Sequence, residues 1–172
     1  MRLVCIAALT LAVAVPAAAQ SANPYTTAAK AQHDIVKGFI LKAAEKMPEE
    51  HYSFKPSPDV RTFGQLVAHV ADASRMICAM ASGGERPTES VEKTKTSRAD
   101  LQKALADSFA ACDAVFASMD DQKGAELVKT FVGEQPRVSV LYFNTAHNFE
   151  HYGNMVTYMR MKGVVPPSSE GR

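Results

Sequence analysis

Asn144-Thr145-Ala146-His147-Asn148-Phe149-Glu150-His151-Tyr152-Gly153-Asn154 is a segment with two histidines four positions apart. Apolar residues at helical spacing flank it, and residues four apart in an α-helix lie on one face, about one turn from each other. Two imidazoles so placed can bind one divalent metal ion, as the HxxxH pair of zinc enzymes does. Asn148 stands where the HExxH motif has its glutamate, so this motif carries no general base of its own.

Helical periodicity extends outward from this segment over most of the chain. Asn23-Pro24 is typical of a helix start, with an N-cap residue followed by proline at the first helical position. Thr62-Phe63-Gly64-Gln65 fits the capping box of a second helix, and Gly83-Gly84 and Gly163 are typical helix ends. The pattern predicts four long helices over residues 24–46, 62–82, 97–119 and 137–162. Amphipathic helices with few strand signals favour an all-α four-helix bundle.

The same spacing predicts which side chains face the core. These are Ile35, Phe39, Ile40 and Ala43 in the first helix, Leu66, His69, Ala73, Met76 and Met80 in the second, and Leu101, Leu105, Phe109, Cys112 and Phe116 in the third. Before the fourth helix, the alternating residues 127–132 followed by Gly133 indicate a small hairpin. The connections over 47–61 and 85–96 are predicted to be irregular.

The first 19 residues have the layout of a secretory signal peptide. Arg2 supplies one positive charge, Leu3 to Val15 is an uncharged apolar run, and small alanines follow, so we expect cleavage after Ala19. The apolar run is shorter than the roughly 20 residues that span a bilayer, although an uncleaved anchor is the alternative. We predict a periplasmic or secreted mature chain, residues 20–172, with one domain, a mobile C-terminal tail and no membrane span after signal cleavage.

The charge balance argues against a polyanionic partner. The chain has 19 basic and 18 acidic side chains, and loss of Arg2 with the signal leaves 18 of each. A neutral chain lacks the basic surface that nucleic acids require, so no nucleic-acid partner is expected.

The mature chain keeps two cysteines, Cys78 and Cys112, without CxxC spacing. An oxidising compartment would permit a disulfide between them. Two buried free thiols that act as small hydrophobic side chains are the alternative.

A third histidine, His69, falls on the inward face of the second helix, where a bare imidazole needs a partner. With His147 and His151 it would bind one divalent metal ion and leave one or two coordination positions open. Metal-bound water would then be acidified and could act as a nucleophile. Taken alone, His69 is better interpreted as a core histidine that bonds a backbone carbonyl.

Three further polar residues are candidates for a supporting role. Asn144 lies three residues before His147 on the same face and could contact the metal-bound water. Asp72 and Glu150 could each orient an imidazole through its free N–H, but ordinary helix-surface charge is the favoured interpretation of both.

The other two histidines are predicted not to be ligands. His33 lies beside Asp34 in the first helix and is expected to face water. His51 follows two glutamates in a proline-rich connection.

Three segments together resemble the DinB/YfiT-like family. Met47–Pro56 resembles the linker after the first helix of that family, Arg61–Val70 the start of its second helix with a metal histidine, and Asn144–Asn154 its closing HxxxH segment. The order and spacing of the three carry the resemblance, which covers nearly all of the mature chain.

The resemblance implies a DinB/YfiT-like bundle with a crossover between the second and third helices. It also implies a metal site of His69, His147 and His151, with zinc or nickel favoured and manganese as an alternative. Many relatives are homodimers. Their known activities include thiol S-transfer and hydrolysis.

The export signal is a departure from this family, whose members are usually cytoplasmic. An exported relative would lack the low-molecular-weight thiols that the cytosol keeps reduced. The favoured prediction is therefore a metal-dependent hydrolase acting on an unknown small molecule. The alternatives are a non-catalytic metal- or ligand-binding bundle and a thiol-dependent S-transferase. A polar pocket beside the histidines would favour the enzyme, and a dry apolar pocket the binding protein.

Overall fold

All four predicted long helices are present in the computed structural model, which describes residues 22–171. They are α1 (Pro24–Lys46), α2 (Phe63–Ser82), α4 (Arg98–Ala117) and α6 (Arg137–Met161), which confirms the all-α fold. The connections contain smaller elements: 3-10 turns at Glu49–His51 and Pro167–Ser169, single-turn helices α3 (Val91–Thr94) and α5 (Asp121–Gly124), and an antiparallel hairpin of β1 (Leu127–Thr130) and β2 (Gly133–Pro136).

Helix α2 begins at the predicted capping box. Thr62 Oγ1 accepts a hydrogen bond from the Gln65 backbone N–H (3.1 Å), and Gln65 Oε1 accepts one from the Thr62 N–H (2.9 Å). Gly83 ends the helix in the left-handed region, with φ +73°, which glycine adopts without a Cβ clash. These two ends fix the extent of the helix that carries His69.

Contacts between α2 and α4 show that the two helices run parallel. The Ser108 hydroxyl donates to the Ala71 carbonyl (2.8 Å), and further along both helices a disulfide joins Cys78 to Cys112. Consecutive parallel helices need a connection that returns along the length of the bundle. Residues 83–97 make this return, so the predicted crossover is confirmed.

Helix α6 runs antiparallel to α2 and parallel to α1. Ser74 on α2 donates to Asn148 Oδ1 on α6 at 3.2 Å, and His69, earlier on α2, lies beside His151, later on α6. Near the starts of α1 and α6 the Tyr142 hydroxyl donates to the Tyr25 carbonyl (3.2 Å), and further along both helices the rings of Phe39 and Tyr152 stack with 5.1 Å between centroids. The α2–α6 pair brings His69 opposite the HxxxH segment.

The predicted inward face is confirmed throughout α4 but only in part elsewhere. In α1, Ile35 is 47 % exposed, and in α2, Met76 is 40 % exposed, so both were wrongly assigned to the core. The buried face of α1 consists largely of small residues and a histidine: Thr26, Ala29, His33, Val36, Ile40, Ala43 and Ala44. Apolarity alone therefore placed this face incorrectly.

The prediction that His33 faces water is also wrong, because the side chain is fully buried. Its Nε2 lies 3.0 Å from Asp113 Oδ1, and its ring lies 4.5 Å from that of Phe116. Burial lowers the pKa of His33 despite the neighbouring carboxylate. The neutral ring donates through Nε2 to Asp113, and Lys37 forms an ion pair with the same carboxylate (2.9 Å).

Cys78 and Cys112 form a disulfide, so they are not the two free thiols of the alternative prediction. Both residues are almost fully buried. The bond ties α2 to α4 nine residues after His69 along α2.

The C-terminal residues pack back on the bundle. The Ser168 N–H donates to the Tyr152 hydroxyl (2.9 Å), and Glu170 forms ion pairs with Lys42 and Lys46 of α1. The predicted mobility of this tail stays a prediction. The predicted signal peptide lies outside the described residues, and within residues 22–171 no helix has the length and apolarity to cross a membrane.

Candidate metal centre

The structure brings His69, His147 and His151 together between α2 and α6. One ring nitrogen from each lies within 4.8 Å of the others. The Nε2 atoms of His147 and His151 are 3.1 Å apart, and the His69 ring centroid lies 4.7 Å from that of His151. The pairing of antiparallel helices thus converges all three predicted ligands, while their binding of a metal stays a prediction.

The three imidazoles are neutral at pH 7. Burial lowers the pKa of His151 to about 4, with a further contribution from the two neighbouring histidines. Burial is also the main cause of the lowered pKa of His69 and of His147. A neutral imidazole keeps a nitrogen lone pair free, which is the form that ligates metal ions.

The geometry of the cluster fits a bound cation. The Nε2 atoms of His147 and His151 face each other, whereas their Nδ1 atoms, which carry the proton when Nε2 binds a metal, are buried without a hydrogen-bond partner among the described residues. Two nitrogen ligands of one tetrahedral zinc ion lie about 3.4 Å apart, given bonds of about 2.1 Å, which is close to the separation seen here. Three neutral imidazoles suit zinc or nickel, which prefer nitrogen donors.

A carboxylate that the sequence did not point to completes the surroundings of His69. Glu92 Oε2 lies 3.8 Å from His69 Nδ1, and Glu92 Oε1 accepts a hydrogen bond from Arg61 Nε at 2.8 Å. Glu92 belongs to the single-turn helix α3 in the crossover. Its position brings a carboxylate beside His69, in a site whose HxxxH motif has Asn148 where HExxH has its glutamate.

Asp72 fixes the position of that helix. Its carboxylate accepts hydrogen bonds from the Ser90 hydroxyl (2.8 Å) and from the backbone N–H groups of Val91 (2.7 Å) and Glu92 (3.0 Å). Asp72 is therefore an N-terminal cap supplied by another helix, and its interpretation as ordinary surface charge was incomplete. No local spacing predicts a cap that comes from a distant segment.

Asn144 and Glu150 form no hydrogen bond with the three histidines in the described part of the chain. Asn144 is fully buried, and its amide nitrogen lies 3.6 Å from Cys78 Sγ and 3.9 Å from Cys112 Sγ. Its contacts are thus with the disulfide, and a helper role toward metal-bound water stays a prediction. Glu150 is exposed.

A second group of potential ligands consists of His33, Asp34 and Asp113. Lys37 already occupies the position of a cation there, with its Nζ 2.9 Å from Asp113 Oδ2 and 3.4 Å from Asp34 Oδ1. This group forms a partly exposed ion-pair network beside the buried His33 ring. That His33 is not a ligand stays a prediction.

A polar cavity of about 760 Å³ opens beside His151. It is lined by Lys55, Pro56, Pro58, Asp59, Val60, Arg61, Gln65, Leu66, Glu92, His151, Asn154, Thr157 and Tyr158. Its two cationic side chains and its two carboxylates balance, so the cavity offers hydrogen-bonding groups without net charge. These charged residues are Lys55, Arg61, Asp59 and Glu92. A volume in this range holds a small organic molecule.

Comparison with known proteins assigns the family. A sequence model described as the DinB superfamily matches residues 38–155. This chain belongs to the DinB superfamily. The predicted family is therefore confirmed. No curated protein sequence matches the chain.

Solved structures share the DinB fold at low sequence identity. A DinB-like protein from Bacillus subtilis is 18 % identical with a TM-score of 0.68, over 84 % of this chain and 99 % of that one. A DinB-like protein from Bacillus cereus is 17 % identical with a TM-score of 0.71, over 82 % and 95 %. A mycothiol-dependent maleylpyruvate isomerase is 15 % identical with a TM-score of 0.62, and the alignment spans 76 % of this chain and 60 % of that one.

Proposed function

We propose that this DinB protein is a divalent-metal-dependent hydrolase of a small, polar but uncharged molecule. The observation that carries the proposal is the convergence of three neutral histidines, one of which, His151, lines the polar cavity. When bound, zinc or nickel would supply the Lewis acidity that activates water and polarises a carbonyl oxygen at neutral pH. His69, His147 and His151 would hold the ion.

The residues around the histidines have distinct roles in this proposal. Glu92, which Arg61 holds in place, would favour one orientation of the His69 ring electrostatically from 3.8 Å. The side chains of Gln65, Asn154 and Thr157 offer hydrogen bonds to a substrate in the cavity. Because polar groups line the cavity, the arrangement supports an enzyme more than a binding protein that encloses an apolar ligand.

We also propose that the protein acts outside the cytoplasm. The N-terminal signal pattern and the disulfide both support this location, since structural disulfides persist in oxidising compartments. Mass spectrometry of the N-terminal peptide, on protein recovered from the extracytoplasmic and cytosolic fractions of the native host, tests this location. Extracytoplasmic protein that begins at Gln20 supports export, and cytosolic protein that keeps Met1 contradicts it.

Thiol S-transfer is the second candidate, and one observation favours it. The fold is shared with a mycothiol-dependent maleylpyruvate isomerase. Location outside the cytoplasm counts against it, because a reduced low-molecular-weight thiol would be scarce there.

A panel assay separates these functions. Protein stripped with chelator and reloaded with zinc or nickel is incubated with aryl esters, anilides and lactones, with and without a reduced thiol. Metal-dependent hydrolysis that is lost in His69→Ala supports the proposal. Turnover only with added thiol supports S-transfer, whereas metal binding without turnover of any compound supports the non-catalytic alternative.

A further inference from the structure

The tip of the β1–β2 hairpin is apolar and exposed, although turns usually carry polar residues. Thr130 pairs with Gly133, and the two residues between them, Phe131 and Val132, are 64 % and 67 % exposed. The Thr130 hydroxyl fixes the tip by donating to the Gly133 carbonyl (2.6 Å) and accepting from the Val132 N–H (3.1 Å). Exposed apolar side chains held in this way indicate a binding surface.

An apolar recess of about 290 Å³ lies between this tip and α6. Phe143 of α6 is 45 % exposed, and its ring meets that of Phe131 with 5.7 Å between centroids. Met80 of α2, with Val132 and Val140, also lines the recess. A cavity of about 150 Å³ already accepts a benzene ring, so this recess can accept a larger aryl group or a medium-length acyl chain.

The apolar recess adjoins the histidine centre. The Phe143 ring lies 6.3 Å from the ring of His147, and His151, one turn further along α6, lines the polar cavity. Eight residues of α-helix, the separation of Phe143 from His151, correspond to about 12 Å. Along α6 the apolar recess, the histidines and the polar cavity therefore follow one another within the length of a single small molecule.

We propose that the apolar recess is a subsite of the histidine centre and that its ligand is an amphipathic molecule. The aryl or acyl group would enter the recess, and an uncharged hydrogen-bonding group would lie in the polar cavity, whose cations and carboxylates balance. That this ligand is also the substrate rests on the proposed hydrolase function, whereas its binding does not.

Alkyl glucosides test the proposal because they join an uncharged polar group to an apolar chain. Butyl, hexyl and octyl β-glucoside, at concentrations below micelle formation, are titrated calorimetrically into metal-free protein. Burial of apolar surface strengthens binding about three- to fourfold per methylene. We expect octyl glucoside to bind at least tenfold more tightly than butyl glucoside.

Two phenylalanines of α6 provide a matched pair of variants. Phe143→Ala should weaken octyl glucoside binding about tenfold. Phe149→Ala removes the same side chain from the same helix, at a comparable 36 % exposure, and should leave binding unchanged. Circular dichroism confirms that both variants stay folded. Equal affinity for all chain lengths, or equal loss in the two variants, overturns the proposal.

Sedimentation velocity on the same samples identifies the competing occupant, a second copy of this chain. A dimer that Phe143→Ala dissociates, with no glucoside binding, overturns the proposal in favour of a subunit interface. Glucoside binding without hydrolysis of any compound would support the subsite and contradict the hydrolase function. Hydrolysis with no preference for apolar groups would support the hydrolase function and contradict the subsite.

Discussion

The Glu92 carboxylate of α3 lies beside His69 of α2, with 3.8 Å between Glu92 Oε2 and His69 Nδ1. Arg61 donates a hydrogen bond to the Glu92 carboxylate, and the Glu92 backbone N–H donates to the Asp72 carboxylate. A carboxylate beside a ligand histidine orients the ring and raises its basicity. Asp72 and Arg61 thus hold the Glu92 carboxylate beside His69, where it would support the candidate metal centre.

Glu92→Gln should weaken zinc affinity about 10- to 100-fold, the usual effect of removing a carboxylate next to a ligand histidine. Competition with a chromophoric chelator measures the change. Glu89→Gln is the control, since Glu89 is an exposed residue of the same connection and should leave affinity as in the wild type. Equal affinity in all three proteins would show that Glu92 plays no part in metal binding.

Asp72→Ala should act on the metal site through Glu92. Loss of the cap should lower the free energy of unfolding by about 1 kcal/mol and also weaken zinc binding. If Glu92 transmits the effect, combining Asp72→Ala with Glu92→Gln should weaken binding little more than Glu92→Gln alone. Additive losses in this double-mutant cycle would separate Asp72 from the site.

The sequence predicted which three histidines come together but not their surroundings. His147 and His151 could be placed because helical spacing is a local property. His69 could be placed because a capping box defines where its helix starts. Glu92 could not, because its position depends on a cap from Asp72 on another helix, and such long-range contacts leave no periodic signal.

The helices themselves were predictable, but the exact core was not. Capping residues and glycines marked their ends within about two residues. The face of α1 was misplaced because His33 and small residues occupy it, while the apolar Ile35 points outward. A histidine enters the core only with a partner such as Asp113, and that partner lies on a different helix.

His33 should make the protein less stable in mild acid. Its pKa is lowered in the folded state by burial, so below pH 6.5 the unfolded chain binds a proton that the folded chain does not. Stability is therefore full above pH 6.5 and falls as the pH drops toward the folded pKa. Urea unfolding of metal-free protein at pH 7.5 and 5.5 measures this loss.

Replacement of this histidine gives the comparison. His33→Phe should show a smaller difference between the two pH values than wild type, whereas His51→Phe, in the 3-10 turn at Glu49–His51, should match wild type. A His33→Phe protein with the same pH dependence as wild type would mean that His33 does not titrate differently on folding.

The disulfide should contribute strongly to stability. Cys78 and Cys112 are 34 residues apart, and closing a loop of that length restricts the unfolded chain by about 3–4 kcal/mol. Reduction, or replacement of both cysteines by alanine, should lower the free energy of unfolding toward that amount in urea denaturation. The double variant should not respond to reductant, and a wild type equally insensitive to reductant would count against a bond in the folded protein.

The central claim is that His69, His147 and His151 bind one divalent metal ion. Its most direct test is the metal content of the mature protein, purified without chelators or a histidine tag and measured by mass spectrometry beside His69→Ala and His51→Ala. We predict close to one equivalent of zinc or nickel in the wild type and in His51→Ala, its loss in His69→Ala, and unchanged helix content in all three. No metal in the wild type after reloading with zinc, nickel or manganese, or full retention in His69→Ala, would contradict the account.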